Sequence, residues 1–292
     1  MMLGYLAPAS LSETLALLAE RGPDCSVFAG GMSLVPALKQ GRLARKFIVN
    51  IKGIADSSTR ALQVASNRLT IGALVCHREI EKSPFVIQYF PALRALEETL
   101  ASVQIRNYGT LIGNLCAAEP WSDPPCLLAA LDARLTVVAE RGQRQVFAAD
   151  WILGDGTTQR QPDELLLLAD VPLLRGREGV GYARVAARQG LARPLVCAAA
   201  RIILSEKKTI TAARLFVGAV GPRPQRMLEV EAMLTGNRLN AELSAEVEHT
   251  VAHAIDALPD QRCSASYKVR VAGVLMRRAI ADAVENAETT EH

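Results

Sequence analysis

The chain has 292 residues, half of them hydrophobic, with 33 Lys and Arg against 30 Asp and Glu and a formal charge of +3. That length supports a substantial core shared by two or three modules. So small a net charge, carried on scattered arginines, excludes the concentrated basic face of a nucleic-acid binder. The six cysteines, Cys25, Cys76, Cys116, Cys126, Cys197 and Cys263, form no close CxxC pair. They give no Fe–S ligand pattern and read as reduced thiols, several of them buried. The start lacks a basic n-region, and no apolar run is long enough to cross a bilayer. A cytoplasmic protein without stable membrane insertion is expected.

In chain order, SLSETLALLAE at 10–20 predicts a helix capped by Ser12 and stopped by Gly22 and Pro23. CSVFAGG predicts a strand running into a tight turn, and FIVNI at 47–51 a second strand. ALQVAS and RLTIGAL form a hairpin that turns near Ser66 and Asn67. HREIEKSPFV is a helix or loop interrupted by Pro84, and FPALRALEETLASV a helix with Pro91 in its first turn. QIRNYGTLIGNLCAAEPWSDPP shows neither period and is expected to be a loop region. CLLAALDARLTVVAE predicts a helix, then a strand, with Asp132 and Ala133 between them. WILGDGTTQRQPDE is expected to protrude, and LLLLADVPLL is a strand ended by Pro172. GYARVAARQG, LVCAAARIIL and TAARLFVGAV predict three antiparallel strands. Helices follow in PQRMLEVEAMLTG and ELSAEVEHTVAHAIDAL, then a long terminal helix and a frayed ETTEH tail.

Two segments bear on function. In residues 29–34, AGGMSL, the glycines let amide N–H groups converge on an anion and Ser33 can add a hydroxyl. A plain turn explains the same residues, and the spacing is neither GxGxxG nor a phosphate loop ending in GK[ST]. In residues 106–123, Gly109, Thr110 and Gly113 permit close approach to backbone, and Asn114 can donate and accept. Asp123 can accept from polyol hydroxyls or cap the helix ahead of Pro124. Together the two segments suit a long, bent, phosphorylated cofactor. No metal site is expected: His249 and His253 sit in EVEHTVAHAIDAL, which is not HExxH. His77 beside Cys76 lacks an orienting group for nucleophilic chemistry, so no catalytic residue is named.

AGGMSLVP at 29–36 and RNYGTLIGNLCAAEPWSD at 106–123 resemble the two signatures of the FAD-binding middle subunit of molybdenum-containing hydroxylases, the carbon monoxide dehydrogenase and xanthine dehydrogenase group. LTIGAL at 69–74, PDELLLLADVPL at 162–173, GYARVAARQG at 181–190, VGAVGPRPQRMLEVEAMLTG at 217–236 and SASYKVRVAGVLMRRAI at 264–280 extend the resemblance along the chain. It implies an α+β fold. A two-part FAD-binding domain of the vanillyl-alcohol-oxidase or PCMH-like type would occupy residues 1–55 and 56–175. A C-terminal domain with a small antiparallel sheet and packed helices would occupy 176–292. It implies FAD contacts from Ala29, Gly30, Gly31, Met32, Ser33 and Leu34 to the pyrophosphate. Thr110, Gly113 and Asn114 would line the other half of the groove, and Asp123 would bond the ribityl region.

The family usually has glycine where this chain has Ile112, which would reshape the pocket or loosen FAD if close backbone approach is needed there. Trp121 is also bulkier than the family's usual residue and either stacks on the cofactor or fills a cavity. Arg184 and Arg188 lie near the implied flavin, where a positive group would stabilise its anionic reduced form. The implied partners are an Fe–S subunit and a molybdopterin-containing large subunit in a dimer of heterotrimers, with NAD(P)+ or another electron acceptor. The chain would then be an electron-transfer oxidoreductase subunit that hydroxylates substrate only in the complex. Two rivals stay open: an independent FAD oxidoreductase resembling UDP-N-acetylenolpyruvoylglucosamine reductase, and a degenerate noncatalytic assembly subunit.

Overall fold

The computed structural model describes residues 3–43, 45–154, 156–188 and 192–289. Most of the ETTEH tail, and the end of the GYARVAARQG stretch, lie outside the described residues. The chain opens with β1 (Gly4–Leu6), α1 (Leu11–Arg21), β2 (Cys25–Phe28), α2 (Leu34–Lys39) and β3 (Phe47–Asn50). The strands form a parallel sheet in the order β1-β3-β2. The α1 cap is Ser10, not Ser12: the extended Ser10 accepts from the Glu13 amide, while Ser12 only meets the Ser10 hydroxyl. The three-residue β1 is too short to announce itself by period.

The middle of the chain comprises β4 (Leu62–Ala65), β5 (Arg68–Gly72), α3 (His77–Lys82), α4 (Pro84–Tyr89), α5 (Pro91–Thr99), α6 (Val103–Arg106), α7 (Leu111–Ala117), α8 (Pro124–Ala130), β6 (Arg134–Ala139), β7 (Gly142–Phe147), α9 (Ala148–Trp151), β8 (Ile152–Gly154), β9 (Thr157–Thr158) and β10 (Leu165–Pro172). An antiparallel sheet runs β4-β5-β10-β6-β7. Ser66 and Asn67 both have positive φ, the geometry of a two-residue turn whose twist matches its strands. The apolar run of β10 occupies the sheet centre, paired on both sides. The polar edge strand β7 gave no apolar alternation and was not expected. The segment expected to be a loop is instead largely helical: α6, α7 and the start of α8. Helices of four to seven residues are too short to show a 3.6-residue period.

The last part holds β11 (Glu178–Ala186), β12 (Pro194–Leu204), β13 (Ile210–Gly218), β14 (Gln225–Arg226), α10 (Leu228–Leu234), α11 (Ala241–Ala254) and α12 (Ala265–Thr289). The antiparallel sheet β11-β12-β13-β14 carries α12 across one face. A Cβ added at Gly179 or Gly181 would fall on the carbonyl oxygens of Ala283 or Ala279. Glycine on the strand and alanine on the helix thus bring the two backbones together. One hydrophobic core underlies the first two sheets and reaches the third through Cys197, Ala199 and Phe216; a second lies beneath α12. Among the described residues, no helix is long and apolar enough to cross a membrane.

Candidate functional site

The first glycine segment leaves the C-terminal end of β2. The Phe28 carbonyl accepts from Ile51, and Gly31 turns the chain at φ +74°. A Cβ at Gly31 would overlap the Phe28 ring, so this glycine answers to a positive φ and its own side-chain neighbour. A Cβ at Gly30 would fall on the Tyr108 carbonyl oxygen and lie 2.8 Å from Gly109 Cα. The buried Gly30 is therefore the point where the two signature segments touch, 78 residues apart in sequence. Among the described residues, the amide N–H groups of Ala29, Gly30, Gly31, Met32, Ser33 and Leu34 donate to no protein acceptor. Ser33 precedes α2 without capping it through its side chain. Six consecutive amides are thus left for water or an anionic ligand, and a diphosphate fits that donor set.

The second segment is pinned from below. The Gly109 carbonyl accepts from the His77 amide at 2.9 Å. The buried His77 ring meets buried Glu97 at 2.8 Å, leaving Glu97 Oε1 without a partner. Arg106 is also buried, bonding Glu81 and the Leu100 and Ala101 carbonyls. Thr110 caps α7, accepting from the Gly113 amide at 3.0 Å, and a Cβ at Gly113 would crowd that hydroxyl. Ile112 is buried in the core on the helix, with no positive φ. The backbone there asks for no glycine, so isoleucine costs nothing in conformation.

Asn114 Oδ1 accepts from the Ser122 hydroxyl at 2.5 Å, and its Nδ2 donors are left for another partner. Asp123 precedes α8 but makes no side-chain cap. Tyr182 donates to its Oδ1 at 2.8 Å, and Arg184 meets its Oδ2 at 3.1 Å. Both partners lie on β11, so the middle and last parts of the chain join here. Burial pushes the Asp123 carboxyl up to about 6, against the opposing pull of Arg184, Tyr182 and Cys197. The same burial, with Asp123 beside it, holds the Tyr182 phenol well above its usual range.

Arg184 also bonds Thr99 and the Ala192 carbonyl, whereas Arg188 is exposed. Arg193 lies 4.5 Å and Arg262 5.8 Å from the centre of the Trp121 ring, whose N–H donates to Glu119. His253 Nδ1 bonds the His249 carbonyl, and among the described residues no group of three or more His, Cys, Asp or Glu side chains could hold a metal. The candidate residues thus form two sets. Those of 29–34 and 110–114 flank the Gly30 contact, while Asp123 is anchored to β11. Tyr182 and Glu97 escaped sequence reasoning, and Arg184 and His77 were singled out without these partners, because each pairing is long-range and no local pattern announces it. A recess of about 600 Å³ lined in part by Asp132, Phe147, Arg214, Arg223 and Arg226 shares no residue with either segment.

Residues 1–174 match the family described as the FAD binding domain in molybdopterin dehydrogenase, and residues 182–283 match the CO dehydrogenase flavoprotein C-terminal domain. The chain is 30% identical to the caffeine dehydrogenase subunit beta of Pseudomonas sp. strain CBB1, over 96% of this chain and 94% of that one. It is 32% identical to the glyceraldehyde dehydrogenase medium chain of Sulfolobus acidocaldarius, over 94% and 96%. Its structure superposes on a chain of the carbon monoxide dehydrogenase of Hydrogenophaga pseudoflava with a TM-score of 0.92, at 26% identity and 98% coverage of each. With both family regions present in order, an α+β fold like that of the known flavoprotein subunits, and an amide run suited to a diphosphate, the chain belongs to the family of FAD-binding medium subunits of molybdopterin-dependent dehydrogenases, and its cofactor is FAD.

Proposed function

We propose that this chain is the FAD-bearing electron-transfer subunit of a multisubunit molybdenum hydroxylase. It would receive electrons from an Fe–S partner subunit and pass them to NAD(P)+ or another acceptor, while a molybdopterin-containing large subunit oxidises the substrate. The observation that carries the reading is the run of six uncommitted amides at 29–34, packed through Gly30 against the second signature segment. In this reading those amides and the Ser33 hydroxyl bind the pyrophosphate. Thr110, Gly113 and Asn114 line the adjoining stretch of groove, and Asp123 supports its far end. FAD supplies the coupling between one-electron and two-electron transfer. The chain's own residues bind, orient and shield it; no acid–base pair of an independent enzyme is needed. The division into parts at about residues 55 and 175 belongs to the same reading. The position of Ile112 in the core favours an intact pocket over a degenerate one.

The purified chain should carry noncovalent FAD with a flavin absorption spectrum, or take it up when FAD is added. Absence of both would overturn the placement of the groove. Co-purification from the native source, with iron and molybdenum analysis, should recover two further subunits. Full substrate hydroxylation by the isolated chain would refute the division of labour.

A further inference from the structure

Asn114 is the candidate groove residue with donors to spare, and its orientation is set by a relay. The Ser122 hydroxyl holds Asn114 Oδ1 at 2.5 Å, which turns the Nδ2 donors away from that bond. Ser122 is buried and directly precedes Asp123, whose two carboxylate oxygens are held separately by Tyr182 and Arg184. Arg184 is itself fixed: it also bonds the Thr99 carbonyl and hydroxyl and the Ala192 carbonyl. Two side chains of the C-terminal sheet therefore terminate a chain of contacts that ends on a group of the FAD-binding domain.

We propose that Tyr182 and Arg184 are positioning residues for the cofactor: through Asp123 and Ser122 they aim the Asn114 carboxamide into the groove. This rests on the reading that Asn114 lines the FAD groove. Tyr182 and Arg184 need not touch the cofactor. Their role requires the third sheet to be docked on the FAD-binding part, which makes cofactor retention sensitive to a unit outside the FAD-binding family region at 1–174. The groups facing Asp123 are Tyr182 and Arg184 from β11, Cys197 from β12 and Glu97 from α5. Acid that protonates Asp123 removes the ion pair with Arg184, so FAD affinity falls below about pH 6.

The test is FAD dissociation from the purified full-length chain, followed by flavin fluorescence between pH 5 and pH 8. Asn114→Ala, Ser122→Ala and Tyr182→Phe should each weaken FAD about tenfold at pH 7.5, the usual scale for one hydrogen bond of this kind. Asn114→Ala combined with Tyr182→Phe should be no weaker than Asn114→Ala alone, because both act through one group. Arg184→Lys keeps the charge but cannot hold Asp123, Thr99 and Ala192 at once, so it should also weaken FAD about tenfold. Asp123→Asn should abolish the loss of affinity below pH 6. If Asn114→Ala leaves affinity unchanged, the placement of Asn114 fails and takes the proposal with it. If Asn114→Ala weakens FAD but Ser122→Ala and Tyr182→Phe do not, or if the double variant is additive, the relay alone is overturned. These substitutions remove single polar groups, and circular dichroism of each variant identifies any that fails to fold; for such a variant the Arg184→Lys and Ser122→Ala measurements decide.

Discussion

Replacing Asp123 by asparagine removes a charge and keeps one oxygen, enough to accept from Tyr182 or from Arg184 but not from both. The carboxyl loses its proton at about 6 in the folded chain, against an ordinary value of 3.8, because burial outweighs its two partners. The folded state therefore binds this proton more tightly than the unfolded state. The group's contribution to stability is complete below pH 3.8, declines as pH rises towards 6, and is gone above it. The displacement of roughly two pH units corresponds to about 3 kcal/mol, of which about 1 kcal/mol falls between pH 5 and pH 7. At pH 4 wild type and Asp123→Asn are both neutral there and should match closely. At pH 7 the variant should be more stable by about 2–3 kcal/mol. Urea unfolding of the FAD-free chain across this range measures the difference, and other titrating groups cancel in the comparison. A stability difference that is constant with pH, or that turns against asparagine as pH rises, would refute the reasoning.

Gly30→Ala must separate the two signature segments, since its Cβ would sit on Tyr108 and Gly109 backbone; FAD affinity should fall at least tenfold while circular dichroism stays native. Gly31→Ala should destabilise the fold by about 1 kcal/mol or more, because φ is +74° and the Phe28 ring must move; thermal unfolding checks this. Ile112→Gly restores the family's usual residue but empties a core position on a helix. It should cost about 3 kcal/mol or more and bring no gain in FAD affinity, read by urea unfolding and flavin titration. Gly181→Val should unfold the last part of the chain by driving α12 off β11, seen as new proteolytic cleavage beyond residue 174.

What was legible in the sequence followed from local chemistry. The glycine pair, the Ser66 and Asn67 turn, the apolar run of β10 and the helically spaced apolar residues of α12 all act within a few residues. What was not legible has two physical causes. The helices between residues 103 and 117 are too short to express a period, so capping by Ser102 and Thr110 creates them and the surrounding packing keeps them. The polar pairs of the site span long separations: Asp123 meets Tyr182 59 residues on, and His77 meets Glu97 20 residues on. Asp123 read locally either as an acceptor for polyol hydroxyls or as a helix cap, and its side chain does not take the capping role. Ile112 read as a departure from the family's glycine, where close backbone approach to the cofactor would favour glycine; on the helix the same residue is part of the core.

Asp123 and Glu164 are both almost wholly buried, both paired with arginine, and titrate in opposite directions. Glu164 has a bidentate Arg144, a second ion pair from Arg141 and the Gln161 amide. These donors hold its carboxyl below the usual range, so it contributes stability at neutral pH that is lost only as acid protonates it. Asp123 has one arginine nitrogen and one phenol, too little to offset its burial, and at neutral pH it carries its charge at the expense of the fold. The chain can evidently build a fully satisfied buried carboxylate where the structure alone is served. Its neighbour Ser122 bonds Asn114, whose Nδ2 has no protein acceptor among the described residues, and at the Gly30 contact six amides are in the same condition. Donors left uncommitted by the protein are what a binding site requires, because donors and charge already spent on the protein would be unavailable to a ligand. Under the proposed relay the cost at Asp123 serves cofactor binding, and a variant that removes it should gain stability and lose FAD together.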